Sequence, residues 1–240
     1  MTRCLVVMML AAGVARADAP KPAPAALTGS IKGTVIFEGE PPDRKKLKRD
    51  TDPFCAKTEK LDEEVVVEHG KLRDVLVRIK NGTAGTHPTP PTPIVIDQRE
   101  CMYTPRVVGM MPGQKIEVRN SDGTFHNVRG MLVGKMLWNK PYPPNEPPLK
   151  LDASAAKAGD VVELVCDVHA WMKAYAVVQD HPFFAVTGPD GVFEITGLPP
   201  GTYTLEAWHP KLGVRSLTVK IGKVGKNNVT ARLSYKSSEM

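Results

Sequence analysis

Residues 166–172 read Cys166-Asp167-Val168-His169-Ala170-Trp171-Met172. The run sets a thiolate, an imidazole and a thioether three residues apart, C-x2-H-x2-M. Asp160 to Cys166 (D-V-V-E-L-V-C) precedes it after an Ala158-Gly159 turn, and Ala174 to Val178 follows. Both flanks are rich in β-branched residues, so the run reads as a loop between two strands. Sulfur donors beside an imidazole make a soft set that selects copper over magnesium or calcium. A trigonal His2Cys arrangement with a weak axial Met needs a second histidine from elsewhere. His126 is the candidate. It lies in Asn120-Ser121-Asp122-Gly123-Thr124-Phe125-His126-Asn127-Val128, directly after the predicted strand Lys115 to Arg119.

That strand (K-I-E-V-R) alternates with period two and follows a Pro112-Gly113 turn, and Ile94-Val95-Ile96 is a short apolar strand before it. Pro141 to Pro148 predicts irregular chain. Toward the C-terminus, Phe183 to Val186, Val192 to Ile195, Tyr203 to Ala207 and Leu217 to Ile221 read as strands. Their turns are Asp190-Gly191 and Leu198-Pro199-Pro200-Gly201. Toward the N-terminus, Ile31 to Phe37, Val65 to Val67 and Val75 to Ile79 read as strands. Thr86 to Pro93 is too proline-rich for a central strand. No capped amphipathic stretch of helical length is present, and 22 prolines with 20 glycines favour strands joined by turns. The expected fold class is all-β.

Pro112 to Asn120 followed by His126-Asn127-Val128 resembles the first ligand region of cupredoxins, and Ala158-Gly159-Asp160 leading to Cys166, His169 and Met172 resembles the second. The short C-x2-H-x2-M spacing is most similar to amicyanin. The resemblance covers about a third of the chain and implies a Greek-key β-sandwich over residues 93–180. It implies one type 1 copper, with His126 and His169 binding through ring nitrogens, Cys166 through its thiolate and Met172 weakly from the axial side. Asn127 would tie the two ligand loops together. The family often carries a small hydroxyl residue after the Cys; this chain has Asp167, which bears on that tie. Ala170 and Trp171, flanking His169, would form an apolar docking patch. The implied role is single-electron transfer with a transient redox partner protein, not catalysis. Copper storage or delivery uses the same ligands, and a metal-free structural or adhesive envelope protein is the reading in which the fold is only a scaffold.

Phe184 to Phe193 and Leu198 to Leu205 resemble a carboxypeptidase regulatory-like domain, a small Ig/transthyretin-like β-sandwich. Its usual opening strand is missing there and resembles Gly33-Thr34-Val35. The expectation is therefore that residues 28–92, an N-terminal β segment, supply the first part of a sandwich completed by residues 181–235, with a tail at 236–240. Residues 93–180 would be inserted between the two parts.

The chain has 240 residues and a formal charge of +6. Arg3, the apolar run Cys4 to Val14 and Ala15-Arg16-Ala17 read as a signal peptide over residues 1–17. This implies export to the periplasm or beyond. A Pro/Ala-rich linker follows over residues 18–27. No later stretch is long and apolar enough to span a membrane. Removing Arg3 and Arg16 leaves a modest basic surplus, which does not imply a nucleic-acid partner. The run Arg44-Lys45-Lys46-Leu47-Lys48-Arg49 reads as a solvated loop. Cys55, Cys101 and Cys166 remain after the leader, an odd number in an oxidising compartment. The expectation is a Cys55–Cys101 disulfide with Cys166 left as the functional thiolate. A dinuclear copper site would need a second Cys on the 166–172 loop, and Met is a poor zinc ligand. His69, His87, His181 and His209 read as structural or surface residues. No feature of the sequence sets an oligomeric state.

Overall fold

The computed structural model describes residues 28–81, 83, 85–222 and 228–239. The expected leader and linker, residues 1–27, lie outside these. The described chain is all-β.

Residues 94–178 form one sandwich. Its five-stranded sheet runs, edge to edge, Lys135–Tyr142, His126–Leu132, Val161–Val165, Lys173–Val178 and Val107–Met110. The four-stranded sheet facing it runs Leu149–Leu151, Ile116–Asn120, Ile94–Arg99 and Met102–Thr104. The alternating residues of these strands place Ile96, Ile116, Val118, Val128, Val162, Leu164, Ala174 and Ala176 in one shared core. Gly130 interrupts the apolar pattern of its strand because the Trp138 indole of the neighbouring strand lies across it, where any Cβ would collide.

The two ends of the chain build a second sandwich. Gly29–Glu38 pairs antiparallel with Val192–Leu198 and parallel with Asn228–Lys236, from Ser30↔Asn228 to Glu38↔Lys236. It has no strand partner within residues 94–178. The opposing sheet is Phe184–Val186, Leu76–Asn81, Gly201–His209 and Gly213–Ile221. Ile31, Val35, Leu72, Ile79, Phe193, Leu205 and Tyr235 fill the space between. Gly33 sits at the centre, flanked on both sides by strands. A Cβ there would meet the Ala231 carbonyl at 2.5 Å and the Phe193 ring, so only glycine fits. Leu76, Val107 and Val177 pack together with Phe184 and Trp208, joining the two sandwiches.

One segment of the N-terminal part leaves its own sandwich. Residues 44–62 fold back on themselves, through Arg44 Nε to the Asp62 carbonyl and a Lys46–Leu61 bridge, and lie as a strap on the 94–178 sandwich. The Cys55–Cys101 disulfide fixes it there. The basic run is therefore not wholly solvated. Arg49 is only 4% exposed, its guanidinium donating to the carbonyls of Thr58 and Glu100 and lying over the Trp171 ring.

Candidate metal centre

His126 opens its strand at the sandwich end nearest the strap, and Cys166 follows the last residue of Val161–Val165. The loop after Cys166 closes tightly: the Cys166 N–H donates to the Met172 carbonyl, and the Met172 N–H to the His169 carbonyl. That turn folds His169 back toward Cys166. His126, Cys166 and His169 are 0, 2 and 3% exposed. Their donor atoms form a triangle. His126 Nδ1 lies 2.9 Å from His169 Nδ1, and Cys166 Sγ lies 3.9 and 3.7 Å from them. Met172 is fully buried in the same core as Cys166.

Each imidazole is held from behind by a carboxylate. His126 Nε2 donates to Asp122 Oδ2 at 2.9 Å, and His169 Nε2 donates to Asp52 Oδ2 at 3.0 Å. Asp122 also accepts the N–H groups of Glu100 and Cys101. These two residues form the hairpin turn between Ile94–Arg99 and Met102–Thr104, and both have positive φ. Asp52 also accepts the Thr124 hydroxyl and the N–H groups of Phe54 and Cys55. Burial works against ionisation of Asp52, but these donors outweigh it and hold the carboxyl at about 2.

A carboxylate only accepts, so each ring carries a proton on Nε2 and turns Nδ1 toward the sulfur. The two Nδ1 atoms, 2.9 Å apart and beside the sulfur, share either a proton or a metal ion between them. Burial disfavours the Cys166 thiolate, yet the two imidazoles and the N–H groups of Asn127 and Val168 outweigh burial and bring the thiol down to about 6. The candidate donor set is two imidazoles and one thiolate, with a buried thioether on the same loop. It suits a soft, singly or doubly charged transition metal, and copper above all.

Asn127 bridges the two ligand segments. Its Oδ1 accepts the Asp167 N–H at 2.6 Å, and its Nδ2 donates to Asp167 Oδ2 and to Asn139. Asp167 also pairs with Arg129. The carboxylate at 167 therefore makes a link that a small hydroxyl would otherwise make. Trp171 is half-buried, its ring centroid 5.2 Å from that of His169 and its Nε1–H bonded to the Cys101 carbonyl. Ala170 and Val168 are exposed beside it.

Asp52, Thr124 and Asp122 are site residues that pattern reasoning did not select. Asp122 carried a signal, four residues before His126 in the quoted stretch. Asp52 carried only an indirect one, its place three residues before Cys55.

No protein-family model and no curated relative matches the chain. Solved structures match part of it. A purple cupredoxin from Nitrosopumilus maritimus is similar at 21% identity over 36% of this chain and 99% of its own, with a TM-score of 0.28. A variant of amicyanin in its reduced Cu(I) form is similar at 17% identity over 43% of this chain and 98% of its own, with a TM-score of 0.32. A Cu-containing nitrite reductase from Thermus scotoductus is similar at 15% identity over 40% of this chain and 24% of its own, with a TM-score of 0.30.

Proposed function

We propose that this chain is an exported type 1 copper protein of the cupredoxin kind, carrying single electrons between redox partners. The observation that supports it most is the buried convergence of His126 Nδ1, His169 Nδ1 and Cys166 Sγ, with each imidazole anchored through Nε2 to a carboxylate. His126, Cys166 and His169 would hold the metal, with Met172, buried in the same core, as a further candidate donor. Bound there, copper would supply one-electron chemistry. The protein's part is to keep the geometry nearly the same in both states. The Asn127–Asp167 link fixes the two ligand segments against each other, and Asp52 of the strap holds the His169 ring.

The enclosure of all three donors favours a retained cofactor over a delivered one, because copper leaves only if the strap or the 166–172 loop opens. Ala170, exposed next to His169, and the half-buried Trp171 would form the exit toward a transient partner. Among the described residues no helix is long and apolar enough to cross a membrane. Export rests on the leader-like first 17 residues.

The deciding experiment is repeated reduction and reoxidation of the copper-loaded protein in the presence of a Cu(I) chelator. Electron carriage predicts that the metal stays with the protein through successive cycles. Loss of copper to the chelator at the first reduction contradicts electron carriage and assigns the chain to copper delivery.

A further inference from the structure

Both candidate copper histidines end on a carboxylate, and the two carboxylates come from unrelated places. Asp122 belongs to the loop just before His126. Asp52 arrives on the strap, from a segment more than a hundred residues away in sequence from His169 and pinned by the Cys55–Cys101 disulfide. Each splits its two oxygens between duties. One oxygen of Asp122 takes the Glu100 N–H, and one of Asp52 takes the N–H groups of Phe54 and Cys55. The other oxygen takes a ring Nε2–H. That second oxygen is shared, with the Cys101 N–H at Asp122 and with the Thr124 hydroxyl at Asp52, so each carboxylate is fixed from both oxygens while it meets its imidazole.

Resting on the copper reading above, we infer that Asp52 and Asp122 are positioning residues, acting on the metal through His169 and His126, and that together they weight the centre toward Cu(II). Two physical effects point the same way. A carboxylate that accepts the Nε2–H fixes the ring and enriches Nδ1 in electron density, making it a better donor to the more highly charged ion. The buried charge count also changes on reduction. The Cys166 thiolate, Asp52 and Asp122 bring three negative charges. Cu(II) and the buried Arg49, which lies within electrostatic reach of both carboxylates, bring three positive ones. Adding one electron leaves one negative charge without a counterion in a largely buried site, which is costly. The centre is balanced as Cu(II) and overcharged as Cu(I).

The test compares the full mature chain with its D52N variant, each loaded with Cu(II) alone. Asp52 sits on the partly exposed strap, so the isosteric change is compatible with folding. T124V serves as a control that removes another bond to the same Asp52 oxygen while keeping its charge. The readouts are the midpoint potential and the Cu(II) and Cu(I) dissociation constants. The expected result for D52N is a retained copper–thiolate band, a raised midpoint, and a loss of about 10-fold or more in Cu(II) affinity. The loss in Cu(I) affinity is smaller, and T124V stays close to wild type. An intact band with an unchanged midpoint in D52N overturns this inference alone. An equal rise in D52N and T124V assigns the effect to strap packing and also overturns it. A wild-type chain that forms no copper–thiolate band removes the copper reading itself, and the inference falls with it.

Discussion

His209 shows how a single buried side chain sets a response to acid. Its Nδ1 accepts the N–H groups of Lys211 and Leu212, which requires that nitrogen to be unprotonated. Burial, and then the nearby Arg106, hold its pKa down at about 3. Unfolded, the same imidazole titrates near 6.5. Between those values the unfolded chain binds a proton that the folded chain does not. The stability His209 contributes is therefore whole above about 6.5 and is lost as pH falls toward 3, at up to about 1.4 kcal/mol per pH unit. A urea series at pH 6.5 and 5, where carboxylates are still largely ionised, checks this. The wild-type midpoint falls over that interval, and H209Q, which keeps an acceptor but does not titrate, falls less. At this scale the meeting of His126, Cys166 and His169 was legible, because C-x2-H-x2-M and a histidine just after a strand are local patterns. The Asn127–Asp167 link was half legible: the sequence raised Asp167 as a departure, but only the fold shows its carboxylate and N–H both meeting Asn127. Asp52 was not legible at all, since its bond to His169 exists only after the strap has crossed to another sandwich.

Among the elements, the strap depends most on tertiary structure. Residues 44–62 hold one short 3-10 turn, Cys55–Lys57, and an isolated bridge, too little to be ordered by their own hydrogen bonds. What orders them is the disulfide, the Arg49 bonds and Asp52. Replacing both Cys55 and Cys101 by Ala is expected to cost about 2–4 kcal/mol. Amide exchange should speed up most in residues 44–62, and the core strands should stay protected. Uniform acceleration through both sandwiches would contradict the separate strap. Strands with period-two alternation were legible and run longer than their apolar centres, as Gly201–His209 does around Tyr203 to Ala207. His126–Leu132 was harder to read because Gly130 breaks its pattern, and the glycine is there for Trp138, a residue of the next strand. The basic run looked solvated because charge alone does not reveal a carbonyl waiting for Arg49.

At the scale of the molecule, the chain ends are sewn together and the candidate metal sandwich is carried between them. Gly29–Glu38 touches both Val192–Leu198 and Asn228–Lys236, so one strand near the start closes a sheet with two near the end. Gly33→Val puts a branched side chain against the Ala231 carbonyl and the Phe193 ring. The expected cost is about 3 kcal/mol or more, at the upper end of overpacking. The cost falls on the sandwich of chain ends, so metal binding near room temperature should survive. Calorimetry of the metal-loaded variant, followed alongside metal absorption, would show the first transition lowered while the metal signal persists past it. Simultaneous loss of both would mean the two sandwiches melt as one unit through the Leu76, Val107 and Val177 junction.

If His126, His169 and the Cys166 thiolate converge to hold copper, the metal–sulfur bond is directly visible. The visible absorption spectrum of the Cu(II)-loaded mature protein, taken beside a Cys166→Ser variant, tests it most directly. The account predicts an intense band in the red part of the spectrum that is absent from the variant. A wild-type spectrum without that band, or one unchanged by the loss of the Cys166 sulfur, would contradict it.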